Sequence, residues 1–417
     1  MSEPVLQKTK VKIKGTSLVK ERSFVLLWIG TFFTGLSFSM FYFAEAWYVV
    51  KKLNLESSLG IIYIAGATPR IIFMLLGGVL ADKVSQSKVM FFSDFTKSLI
   101  VGALVILLML TGEIHLWTLI FFALIFGVLD AFFWPASSSI IPAIVPKNSL
   151  TRANSIIQTT SQCTSIFGPM VSGIIIVNFD YKGIFGLVAS FLLLGSIFVL
   201  FIKIGSKNTN IENKQPILQS LKEGISYVQK KSVLKAFVLK TLFLNLFFTG
   251  PLTIGLPIFV KNVLKGNTLY FSLLESCLAI GMVIGSVILS ILNLKKKRGI
   301  VSLNSQMLLA LCFLLFSFSF ESWQSITIAI FLGISMTVSS ICAVSLIQTE
   351  TDSDMTGRVM SIQTLSSMGL TPISYGLTSL LLSLGINIQI IIFIGALSLL
   401  IFTFILYFKI PILREVD

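Results

Sequence analysis

Glu45 stands between Phe43 and Trp47, Glu275 lies two turns inside a long apolar run, and Arg70 and Asp130 occupy the middles of two others. A carboxyl group among apolar and aromatic neighbours has its charged form disfavoured, which suits it to loading and releasing a proton. An arginine or lysine in the same setting pairs with an acid or holds an anionic ligand. Lys240, two turns into its own apolar run, is a further such cation, snorkelling or facing a cavity. Asp94 and Lys97, three residues apart, share a helix face and can pair locally, and an internal pair between Arg70 and Asp130 is the bland alternative to a ligand role. The one histidine, His115, falls in the short stretch Glu113 to Trp117 and reads as a solvated residue. Cys163, Cys277, Cys312 and Cys342 all lie in apolar runs without metal-ligand spacing and read as packing residues. No metal site, Walker loop or nucleophile elbow is written in the chain, which argues against an ATP-driven pump and most membrane enzymes.

Charges in such places need elements that shield them. The chain has 417 residues, of which 55% are hydrophobic and only 12% charged, and its mean hydropathy is +0.92. A soluble chain carries roughly 25% charge, so this composition excludes a cytosolic enzyme and a nucleic-acid binder. Lipid offers the backbone no hydrogen-bond partner, and apolar runs of about 18 residues or more therefore predict transmembrane helices. Twelve are expected, at 24–48, 58–82, 88–111, 116–142, 150–178, 183–204, 233–260, 268–293, 299–319, 323–347, 358–383 and 387–409.

The predicted organisation is a basic N-terminus at 1–23, a six-helix bundle at 24–204, a linker at 205–232, a second bundle at 233–409 and a tail at 410–417. With the N-terminus inside, 24 of the 32 Lys and Arg fall in cytoplasmic segments and five outside, namely Lys51, Lys52, Lys182, Lys261 and Lys265. That bias predicts cytoplasmic termini and accounts for the net charge of +14 by anionic lipid, without a nucleic-acid partner. The first helix reads as a retained anchor, since the basic stretch leads into a full-length apolar run in place of a short h-region and no small-residue cleavage site follows. In the linker, Ile217, Leu218, Leu221, Ile225 and Val228 recur at helical spacing and predict an amphipathic helix on the inner leaflet. The run Ile157-Gln158-Thr159 recurs as Ile362-Gln363-Thr364, in the fifth span of each half, which points to a duplication.

Between the second and third spans lies Gly78-Val79-Leu80-Ala81-Asp82-Lys83, followed by Lys88. In the fifth span lies Gly168-Pro169-Met170-Val171-Ser172-Gly173, where small residues permit close helix approach and proline removes a backbone bond. The first run resembles the loop 2–3 signature of the major facilitator superfamily, with Ser85 and Ser87 as departures. The second resembles its Gly-Pro antiporter signature, with Ser172 replacing a glycine. Adding Pro135-Ala136, Leu150-Thr151-Arg152-Ala153-Asn154, Lys222-Glu223-Gly224 and Gly357-Arg358-Val359, the whole chain is similar to the drug:proton antiporter family that includes macrolide efflux pumps and exporters of siderophores and peptide antibiotics.

The resemblance implies an all-α fold of two six-helix bundles in the cell membrane, acting as a monomer. It implies export of a small organic molecule by alternating access, driven by the proton gradient with no cofactor. Gating would fall to Gly78, Asp82, Lys83, Lys88, Asp94, Arg152 and Arg358, and the antiporter motif to Gly168, Pro169, Ser172 and Gly173. Asp130, Glu45 and Glu275, in that order, are the candidate proton carriers, with Arg70 and Lys240 as candidate substrate contacts. A symporter or facilitator importing a small nutrient remains open.

Overall fold

The computed structural model describes residues 18, 21–146, 149–203, 217–292, 294, 296–352 and 354–409. The basic N-terminal stretch, the first part of the linker and the tail lie outside the described residues. Among them, ten helices are long and apolar enough to cross a membrane. The first four are α1 (Arg22–Trp47, continued by a π turn, Tyr48–Lys52), α2 (Leu59–Lys83), α3 (Gln86–Thr111) and α4 (Leu116–Ile144).

The expected fifth and sixth spans are both present and follow each other with no intervening loop; they are two helical arms, together α5 (Leu150–Leu200), that meet at a kink. Its continuity is broken at Asp180 alone, where φ is 57° and ψ −171°. Asp tolerates positive φ better than most residues, and this one residue turns the chain back, so α5 makes two crossings. The linker helix is α6 (Ile217–Lys230). The next crossing, Ser232–Asn262, is built from α7 (Ser232–Leu244), a π turn (Asn245–Thr249), α8 (Gly250–Thr253) and α9 (Gly255–Asn262). Then follow α10 (Thr268–Leu292), α11 (Arg298–Ser317) and α12 (Ser322–Thr349). The eleventh span is interrupted: α13 (Thr356–Met368) and α14 (Thr371–Ser383) meet at Gly369 and Leu370, where Pro372 in the first turn of α14 cannot donate a backbone bond. α15 (Ile388–Lys409) completes the twelfth crossing.

Large apolar side chains such as Leu110, Trp117, Phe179 and Ile291 are exposed around this all-helical body, as expected where lipid replaces water as solvent. Close helix contacts repeat between the halves. α2 meets α4 through Gly66 and Gly127, where a Cβ on Gly127 would strike the Gly66 carbonyl; α10 meets α12 through Gly281 and Gly333, where a Cβ would strike the carbonyls of Ile330 and Leu278. Small residues let backbones approach where lipid gives no hydrophobic drive. The main contacts between the halves are α5 with α10 and α2 with α14.

The linker helix does not simply lie on a leaflet. Val228 is buried in a cluster with Leu234, Phe237, Val359 and Ile362, while Ile225 faces outward. Gly224 lets α6 approach Arg358 and Ile362 of α13, and Glu223 pairs with Arg358 at 2.8 Å. At its end, the Tyr227 hydroxyl donates to Asp352 Oδ2 at 2.7 Å, and Lys231 lies 3.3 Å from Asp352 Oδ1. Part of its apolar stripe thus packs against α7 and α13. This side of the molecule is called the linker end below, and the opposite side the far end.

Candidate functional site

Phe43, Glu45 and Trp47 occupy the last turns of α1 near the far end. Phe43 and Trp47 both stack on Phe271 of α10, with ring centroids 4.5 and 5.0 Å apart, which holds Glu45 buried at the seam between the halves. Four residues after Phe271, on the same face of α10, comes Glu275. Arg70 follows Pro69 in the middle of α2. Glu45, Glu275 and Arg70 line one cavity of about 360 Å³ together with Tyr42, Tyr63 and Tyr375. The rings of Tyr63 and Tyr375 meet across the seam at 5.2 Å. Among the described residues neither glutamate forms a hydrogen bond or ion pair, and Arg70 Nε is buried without a partner.

The far end of this cavity is shut by a polar clasp. Lys261 donates at 2.8 Å to each of Val50 O, Asn54 Oδ1 and Glu56 Oε1, and Asn262 donates to Glu56 Oε2 at 2.8 Å. Trp47 Nε1 donates to Thr268 Oγ1 at 2.8 Å, and Ser379 donates to the Ser57 carbonyl. The π turn at Tyr48–Lys52 helps, since its wider hydrogen-bond ladder leaves the Val50 carbonyl to accept from Lys261. Among the described residues, the hydrogen bonds between the halves lie in this clasp or along the α5–α10 contact, where Ser276 donates to the Ile166 carbonyl.

Arg70 also reaches a second cavity of about 480 Å³, lined by Lys240, Asn245, Gln306 and Gln363. Lys240 does not snorkel. It is buried, and donates to the Ser302 and Ser339 hydroxyls, the latter at 2.7 Å.

Asp130 is elsewhere. The Arg70–Asp130 pair is not formed; Asp130 accepts instead from Lys97 at 2.6 Å, with Asp94 at 3.7 Å from the same ammonium and Thr34 donating to Asp94 at 2.7 Å. Phe38 and Phe133 flank Lys97, with ring centroids at 4.5 and 4.9 Å. Asp94 and Lys97 are 0% exposed, so this trio is a sealed ionic core of the first half. The local Asp94–Lys97 pair is present, and Asp130 is the partner that sequence reasoning missed: it is 33 residues from Lys97 on another helix.

Of the gating candidates, the surroundings of Gly78 and the side chains of Asp82 and Lys83 lie outside what is described, although their backbone belongs to α2. Lys88 and Arg152 are exposed near the linker end, and Asp94 is committed to the trio, not to Arg152. Arg358 fastens the linker helix. The antiporter run is built into the seam: Gly168 packs on Ser39 of α1, Gly173 on Ser272 of α10, and Ser172 donates back to the Gly168 carbonyl at 2.8 Å. The cavity tyrosines and the Glu56–Lys261 clasp were not anticipated. The sequence signal for the tyrosines is their scarcity, since the chain has eight and three of them stand here.

Chemically, one region offers two unpaired carboxyl groups beside phenolic hydroxyls, and the adjoining one offers two cations among hydroxyls and amides. The Major Facilitator Superfamily profile matches residues 27–374. Macrolide efflux protein A of Streptococcus pyogenes is 22% identical over 277 residues, 66% of this chain and 68% of that protein. The multi-drug resistance efflux pump PmrA of Streptococcus pneumoniae is 27% identical over 54% of this chain and 53% of its own. The putative bacilysin exporter BacE of Bacillus subtilis is 24% identical over 70% of this chain and 72% of its own. Among solved structures, the nucleoside transporter NupG superposes with a TM-score of 0.74 at 14% identity, covering 92% of this chain and 97% of that one. A POT family transporter in complex with 5-aminolevulinic acid gives 0.73 at 15% identity, covering 95% and 97%; both likenesses speak to the fold.

Proposed function

Since the chain belongs to the Major Facilitator Superfamily and is a multi-pass membrane transporter, we propose that it exports a small organic molecule from the cell in exchange for protons. The two bundles, 24–204 and 233–409, would rock about the seam in the plasma membrane, with both termini and the linker 205–232 cytoplasmic. The excess of Lys and Arg on the linker side favours that orientation, and it makes the clasped state one that opens to the cytoplasm. The efflux activities in the names of relatives from three bacterial species favour export.

The observation that carries the coupling is the placement of Glu45 and Glu275. Each faces the cavity at the seam with no ionic partner, so the rocking that opens the clasp would also change which compartment each can exchange a proton with. Asp130, the first-ranked of the three candidates from sequence, drops behind them, because its carboxylate is already paired with Lys97 and does not line the cavity. Substrate and proton then need to favour opposite states of one cavity, the thermodynamic content of exchange.

Everted vesicles loaded with an imposed pH gradient test this. With macrolides and dipeptide antibiotics as alternative probes, pH-driven uphill accumulation of one of them is expected, and Glu45→Gln or Glu275→Gln should abolish it while downhill exchange persists. Uphill movement in the opposite direction would establish the importer, and unchanged pH-driven accumulation in both variants would remove these acids as carriers.

A further inference from the structure

Each half holds one buried lysine in the same corner, where its first, third and fourth crossings meet. In the first half the corner is made by α1, α3 and α4, and Lys97 is neutralised there by Asp94 and Asp130. In the second half it is made by α7, α11 and α12, about one helical turn nearer the linker end, and it holds Lys240. The partners there are serines: besides the two hydroxyls, the carbonyls of Ser302 and Ser339 accept at 3.3 and 3.4 Å. Hydroxyls and carbonyls orient an ammonium but do not neutralise it, and an uncompensated buried charge is costly. Lys240 is only 3% exposed, and no Asp or Glu lines its cavity among the described residues.

The open side of that cavity adds a second cation, Arg70 from the other half, whose Nε is buried and unpartnered. Two amides add acceptors. Gln306 and Gln363 donate to Thr403 and Thr241, each at 3.0 Å, and both are left with a buried amide oxygen that no donor reaches. We propose that this cavity is a subsite for an acidic group (a carboxylate, phosphate or sulfonate) held between Lys240 and Arg70, with an N–H or O–H of the same molecule meeting the glutamine oxygens. Calling that molecule the cargo rests on the exporter reading above. The cargo is then an anion or a zwitterion, not a purely cationic amphiphile.

Binding can be read without transport. Cys277, Cys312 and Cys342 are buried and free, so a thiol-reactive dye reports thermal unfolding of the purified full chain. Three probes of matched size are used at neutral pH: alanyl-phenylalanine, its C-terminal amide and its N-acetyl derivative. Both probes with a free carboxylate should raise the unfolding temperature, and the amide should not. Lys240→Met should weaken binding of the acids by about ten- to a hundredfold, the worth of one charge-assisted hydrogen bond. Lys240→Arg should retain the preference for acids, and Arg70→Gln should reduce it in a protein that unfolds at the wild-type temperature when unliganded. Equal stabilisation by the amide, no stabilisation by either acid, or an undiminished preference for acids in Lys240→Met overturns the subsite. Any of these leaves proton-driven export standing, whereas failed pH-driven accumulation in a protein that still binds the acids overturns export and leaves the subsite.

Discussion

Two carboxylates and a single ammonium share the sealed corner of the first half, and their mutual attraction has to repay the loss of water around all three. Removing one member of a buried ion cluster leaves the others uncompensated, at a cost of about 3–5 kcal/mol. Lys97→Met should therefore lower the unfolding temperature and the yield of folded protein, and the triple change Lys97→Met, Asp94→Asn, Asp130→Asn should restore much of both. A stable, fully folded single variant would mean that the acids already carry the neutralising proton without Lys97. At this scale the sequence exposes which charges are buried and hides whom they meet. Glu45, Arg70, Glu275 and Lys240 stand out because charge inside apolar runs is costly wherever the helices pack. The partner of Lys97 and the loneliness of Arg70 follow from helix rotation, and α4 has so little amphipathic character that hydropathy does not fix which face carries Asp130.

Among elements, the linker helix shows how a short amphipathic segment is held by a few groups at its edge. The Tyr227 hydroxyl, and after it Lys231, keeps the Asp352 carboxyl below its ordinary value of 3.8, and the hydrogen bond with Tyr227, followed by that with Asp352, raises the Lys231 ammonium above its ordinary 10.5. A depressed acid contributes while ionised and loses its contribution as pH falls through the folded value; a raised base contributes while protonated and loses it as pH climbs through its own. These linker-helix contacts should thus be complete across the neutral range and loosen in acid, as Asp352 takes up a proton. In hydrogen-exchange measurements corrected for intrinsic rates, Asp352→Asn should speed exchange around Tyr227 at neutral pH, and the difference from wild type should vanish in acid. Exchange that stays unchanged in the variant would show that Val228 and its apolar neighbours hold the helix unaided. Element existence was legible from hydropathy throughout. What escaped is local: the one-residue corner at Asp180, the π turns, and the break at Gly369, each decided by a few dihedral angles inside otherwise apolar runs.

For the molecule as a whole, the far-end clasp is the latch of the state described. Lys261 and Glu56 are both partly exposed, so the pair is worth about 1 kcal/mol or less, enough to shift a two-state equilibrium up to about fivefold. Lys261→Met should shift spin-label distances between Lys52 and Lys265, each replaced by cysteine, toward a longer population, with no loss of folded protein; an unmoved distribution would place the latch in the Trp47 and Phe43 stack on Phe271. The latch also has an electrical side. A cavity sealed at one end takes the potential of the compartment at the other, so when the seal changes ends Arg70 and Lys240 cross the membrane voltage almost without moving. Each charge so transferred is worth about 2.3 kcal/mol per 100 mV. With Glu45 and Glu275 protonated the two adjoining cavities together carry two positive charges, and with both ionised they carry none. The voltage dependence of turnover, measured in liposomes with imposed potassium potentials, should therefore be strong in acid and fade as the medium is made alkaline, so that a current-like observable reads out the protonation of two side chains at the seam.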